Sequence, residues 1–126
     1  MAQTLPSTSV PAVPLSHTEM LYKSDVSGKA ETATQYLSLD ISVGSKSFEG
    51  SATVDTESSE VASFTGRLYA DDASKLYKNT VTFSFDSKSD KFIVSFFDDK
   101  DKKLGFLEAG AIKNVKGTGK GTGNWS

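Results

Sequence analysis

The chain has 126 residues, a formal net charge of −2, and 37% apolar against 24% charged residues; this fits one soluble domain with tails and excludes a wholly disordered chain. Cysteine is absent, which excludes disulfides, thiolate catalysis, iron–sulfur clusters and Cys-ligated zinc. The single histidine, His17, lies in a Pro/Ser/Thr-rich stretch, so neither a multi-His metal site nor a Ser-His-Asp triad is expected.

Residues 1–18 hold all three prolines, Pro6, Pro11 and Pro14, and no Asp, Glu, Lys or Arg. Proline removes a backbone donor and restricts the residue before it, so this segment reads as an extended or disordered arm. Leu5, Val10, Val13 and Leu15 make it more apolar than a solvating tail requires, which points to an arm that orders against a neighbouring subunit. No basic segment or apolar h-region stands at Met1–Thr4, and no run of about 18 apolar residues occurs, so neither an export signal nor a membrane span is expected in the chain as written; the compartment stays unassigned.

From residue 19 a β domain is expected through residue 115. Short strands around Met20–Val26 or Ala30–Thr34 are the weaker readings. Over Tyr36–Val43, Leu37, Leu39, Ile41 and Val43 alternate with Ser38, Asp40 and Ser42, the pattern of a half-buried strand. Gly44-Ser45 suits a two-residue type II′ turn, and Phe48, Gly50, Ala52 and Val54 point inward on the return. A third strand spans Val61–Ala70, and Asp71–Asn79 has an Asp cap and the length for about two helical turns.

Thr80–Phe85 and Phe92–Phe97 form a second hairpin around Asp86–Asp90. The latter strand is apolar on both faces, with Phe92, Val94 and Phe96 opposing Ile93 and Phe97, as in a central strand. After the charged reversal at residues 98–103, Leu104–Ile112 alternates again. With at most one short helix, near residues 71–79, the sheet must cover itself, so the fold expected is all-β: an antiparallel β-sandwich or small β-barrel with meander hairpins. Residues 116–126 read as a Gly-rich C-terminal tail.

That tail does not match a phosphate-binding loop, because position 114 is Asn and Gly119-Lys120 is followed by Gly121. A flexible tail or an edge strand narrowed for close packing explains its glycines. Trp125, next to Asn124, either stacks on a sugar or a neighbouring subunit, or folds back to plug one end of the fold. Asp98, Asp99, Asp101, Asp86 and Asp90 could converge as calcium ligands, but interleaved lysines supply counter-charges and solvated hairpin tips are the simpler account. Asp40, Asp55 and Glu108 would suit paired-carboxylate glycoside hydrolysis only if they faced inward, whereas the period puts them outside. Tyr22, Tyr36, Tyr69 and Tyr77 could wall a ligand pocket at a barrel mouth, but Tyr36 and Tyr69 oppose the main apolar face, for which an outer-face or intersheet role is the simpler account.

Charge is mildly uneven, −4 over residues 1–70 and +2 over 71–126, with one Arg in the chain; nucleic-acid binding is not indicated. No catalytic, cofactor or metal residues are assigned. The expected role is a non-catalytic β-domain that self-associates as a structural or interaction subunit of a filament, shell or viral particle. Its partners would be further copies or other protein subunits, reached through Leu5, Val10, Val13, Leu15, Asn124, Trp125, Tyr36 and Tyr69. One alternative is a barrel that binds a small apolar ligand, up to a cofactor-free cyclase or isomerase, with residues 80–97 as its wall. Another is a carbohydrate-binding module taking a glycan through Trp125.

Overall fold

A computed structural model describes residues 22–55 and 59–126. Its elements are β1 (Tyr22–Ala33), β2 (Tyr36–Val43), β3 (Lys46–Thr53), β4 (Glu60–Ala70), α1 (Ala73–Asn79), β5 (Thr82–Ser87), β6 (Lys91–Phe97), β7 (Lys103–Gly110) and β8 (Gly117–Trp125). All pairings are antiparallel, and the strands close into a barrel in the order β1-β2-β3-β8-β5-β6-β7-β4.

The order resolves into two four-strand units, 4-1-2-3 and 8-5-6-7, each with the spatial order of a Greek key. Hairpins therefore run consecutively for only three strands in each half; the fourth strand returns beside the first. Closure gives every strand two neighbours, although β4 pairs with β7 only from Gly66 to Ala70. Of the two upstream segments offered as alternatives for a weak strand, residues 22–26 of the first and 30–33 of the second belong to the single strand β1, Met20 and Leu21 lying outside the described residues, and the stretch read as a Gly-rich tail is β8, inserted between β3 and β5.

Local sequence accounts for the turns. Gly44 has φ +58° while Ser45 is not in the left-handed region, as a type II′ turn requires. In α1, the Asp72 carboxylate accepts from the Lys75 backbone N–H at 3.2 Å, and the Thr80 hydroxyl donates to the Leu76 carbonyl at 2.6 Å to close the last turn. Leu76 is fully buried, so the helix covers the barrel end where β1 begins and β8 finishes.

Inside, Leu37, Leu39 and Ile41 of β2 meet Phe48, Phe64, Phe83, Phe92 and Phe96. The rings interlock edge to face, with centroids 5.7 Å apart for Phe48–Phe83, 5.1 Å for Phe48–Phe96 and 5.4 Å for Phe64–Phe92. On β6, Phe92, Val94 and Phe96 are buried, whereas Ile93 and Phe97 face outward and are half-buried. The strand is apolar on both faces although the barrel has only one layer.

Candidate functional site

The helix-covered end gathers aromatic groups. Trp125, last in β8, points inward with 8% of its surface exposed, and its ring centroid is 5.3 Å from those of Phe48 and Phe96 and 5.0 Å from that of Tyr77. Tyr77 shares a 2.9 Å hydrogen bond with the Tyr22 hydroxyl, and the Lys46 ammonium lies 5.6 Å from its ring centre. Burial, with help from the Tyr22 hydroxyl, pushes the Tyr77 phenol well above its ordinary value. These groups pack against one another, with Trp125 buried and Tyr22 and Tyr77 half-buried. Asn124, one residue earlier, is exposed on the outside opposite Glu49.

At the other end, Gln35, Thr53, Asp55, Lys113, Lys116 and Thr118 border an open cleft of about 600 Å³. Its wall is held by Asn114, whose side-chain N–H groups donate to the Ala30 carbonyl at 2.9 Å and the Glu60 carbonyl at 3.2 Å, and by the Ser87 hydroxyl donating to the Val115 carbonyl at 2.6 Å. Near this end Tyr36 stands 49% exposed on the outer surface.

A third feature lies on the outer surface. The small side chains Thr82 and Ser84 of β5 sit between Phe97 and Ser95 on β6 and Thr122 and Lys120 on β8. Two adjoining hollows of about 260 and 310 Å³ follow from this difference in height, both bordered by Lys120, with Ile93 walling one and Phe97 the other. Together they make a groove along β5, with Asp86 toward one end and Asp101 toward the other.

The sequence candidates do not converge. Leu5, Val10, Val13 and Leu15, like His17, lie outside the described residues. Trp125 and Tyr36 are at opposite ends of the barrel. Tyr69 points outward from β4 yet is only 8% exposed, because it stacks on Phe106 at 5.2 Å, which places it in packing rather than in a ligand wall. Asp86 and Asp90 flank one barrel end and Asp98, Asp99 and Asp101 the other, so they cannot share a cation; among the described residues no group of three metal-ligating side chains forms. Asp40 is exposed on the outside, Asp55 borders the cleft, and Glu108 lies 3.8 Å from the Lys91 ammonium, so no two of these carboxylates face each other across a site. The groove escaped the sequence reading because Thr82 and Ser84 look like ordinary outward residues; its one signal was the second apolar face of β6.

The family described as Rhodococcus equi virulence-associated protein matches residues 5–126. Two solved structures from Rhodococcus equi share the fold. The virulence-associated protein VapB is 31% identical with a TM-score of 0.80, over 83% of this chain and 96% of that one. The virulence-associated protein VapD is 35% identical with a TM-score of 0.76, over 83% and 97%. Comparison with curated proteins returns no match.

Proposed function

The chain belongs to the Rhodococcus equi virulence-associated protein family, and for this member we propose a non-catalytic role as a self-associating interaction subunit that makes its contacts through the outer surface of the barrel. One observation carries this reading: the interior is filled by the chain's own rings, while Ile93 and Phe97 stand outside a single-layer barrel. An apolar residue on an uncovered face gains by covering its surface, at about 25 cal/mol per Å² removed from water.

The filled lumen weighs against a ligand-binding barrel, since Phe83, Phe85, Phe92 and Phe96 are 0–3% exposed and pack on their neighbours instead of walling a space. Burial of Trp125 likewise weighs against stacking on a sugar. Light scattering coupled to size exclusion tests the proposal. The full chain should show a mass above the 13.5 kDa of a monomer that rises with concentration, and Ile93→Ser with Phe97→Ser should return it to the monomer while the circular dichroism spectrum is kept. A monomer at every concentration would overturn the reading.

A further inference from the structure

We propose that the fork where β3 and β8 part binds the C-terminal end of an extended peptide that finishes in an acidic residue, taken up as an added antiparallel strand against β8.

Strands β3 and β8 pair from Phe48 and Trp125 as far as Ala52 and Gly121, although β8 begins four residues before Gly121, at Gly117. The cleft of about 600 Å³ lies in that opening, bordered by Thr53, Val54 and Asp55 on the β3 side and by Lys116 and Thr118 on the β8 side. Strand alternation decides which backbone groups face it. Ser47 and Ser126 exchange both of their backbone hydrogen bonds, and the Gly123 N–H donates to the Val81 carbonyl at the head of β5. Even-numbered residues of β8 therefore turn their backbone toward β3 and odd-numbered ones toward β5. Thr118 thus turns an N–H and a C=O to a side on which no strand pairs with it. An unpaired strand edge is a template for an added strand.

Register and charge define the occupant. Every pairing in the barrel is antiparallel. A strand added in the same sense runs from the apex of the fork toward Gly117 and brings its C-terminus to Lys116. Its residue before last, opposite Thr118, exchanges two hydrogen bonds with that backbone. The residue before that, opposite Gly119, points inward, where Val54 and Phe85 line the cleft, so an apolar side chain fits. The last residue, if Asp or Glu, carries two carboxylates, and Lys113 and Lys116 line the cleft with no acidic partner among the described residues. Asp55 is one acid against these two cations, so the cleft keeps a net positive charge. This site is separate from Ile93 and Phe97, and it holds whether or not the chain self-associates.

The test titrates the full chain into N-terminally fluorescein-labelled Gly-Ser-Val-Thr-Glu, read by fluorescence anisotropy. Anisotropy should rise to saturation. Converting the peptide's terminal carboxylate to an amide, or methylating the backbone nitrogen of its Thr, should each weaken binding about tenfold, while methylating that of its Ser, upstream of the fork, should leave it unchanged. Lys113→Gln with Lys116→Gln, both exposed, should also cost about tenfold with the thermal midpoint kept. No saturation at millimolar chain, or equal affinity for the Thr-methylated peptide, would overturn the added strand. Equal affinity for the amide or for the lysine variant would overturn the assigned direction. Displacement of the probe by inorganic phosphate as readily as by unlabelled peptide would reduce the cleft to a plain anion site and overturn the proposal.

Discussion

A Cβ placed on Gly123 would come within 2.5 Å of Cζ of Phe48, so the ring lies directly on the strand backbone. The relation repeats along β8, where Gly119 underlies Phe85, and Gly121 underlies Phe83 while abutting β3. Rings from β3 and β5 thus supply the side chains that β8 lacks on its inner face. Gly123→Ala must displace a fully buried ring, an overpacking cost of about 1–3 kcal/mol. Gly110→Ala, at a position with nothing within 4 Å and no positive φ, should change stability by less than about 0.5 kcal/mol. Urea denaturation of the two variants checks the contrast, and equal midpoints would refute it.

This packing explains which strands were legible in sequence. The β2–β3 hairpin announces itself because Leu37, Leu39, Ile41 and Val43 supply their own inward face, and the Gly44-Ser45 turn is local. No hydrophobic period exists in Lys116–Gly123, since its inward positions are glycines whose partners are far away in sequence. Closure was undetermined for the same reason: it depends on β3–β8 and β4–β7 pairings that no local pattern encodes. The double apolar face of β6 was readable, but not what it meant. In an open sheet it marks a central strand between two layers; here Ile93 and Phe97 lie half-buried on the outer surface of a single-layer barrel.

Asn114 joins the β7–β8 connection to the end of β1 and the start of β4 through the Ala30 and Glu60 carbonyls. Asn114→Ala removes both donors and should cost about 1–3 kcal/mol. Asn114→Asp should cost more at neutral pH, because a carboxylate would then face two carbonyl oxygens in a buried site. Protonation gives that carboxyl a donor, so the Asp variant should recover part of its loss as pH falls below about 5 while the Ala variant does not. Thermal melts across that range distinguish the two; parallel curves would show that the buried amide bonds are not what holds the connection.

The Asp98 carboxylate accepts backbone N–H bonds from Lys100 and Lys102, both at 2.9 Å, and these hold its pKa below the ordinary 3.8. A carboxyl with a lowered folded-state pKa stabilises the fold above its unfolded value, and that contribution is lost as pH falls through the folded value. The parent should therefore exceed Asp98→Ala in Tm at pH 6, with the gap closing toward pH 2. A gap independent of pH would mean that the variant acts on the β6–β7 turn through its shape alone.

Titration at the other extreme reports on α1. The Tyr77 phenol, raised by burial and by its bond to Tyr22, stays neutral in the folded chain at pH values where an unfolded tyrosine ionises, near 10. For a group with a raised folded-state pKa, stability is complete below the unfolded value and is lost as pH rises through the folded one, so the barrel should weaken above about pH 10. Tyr77→Phe keeps the ring against Trp125, loses one hydrogen bond worth about 1 kcal/mol at neutral pH, and should flatten the alkaline decline. Emission from Trp125, the sole tryptophan and a direct neighbour of this ring, follows the transition at each pH. An unchanged alkaline midpoint in Tyr77→Phe would assign the loss to the remaining tyrosines and lysines and leave the helix with a purely apolar attachment through Leu76.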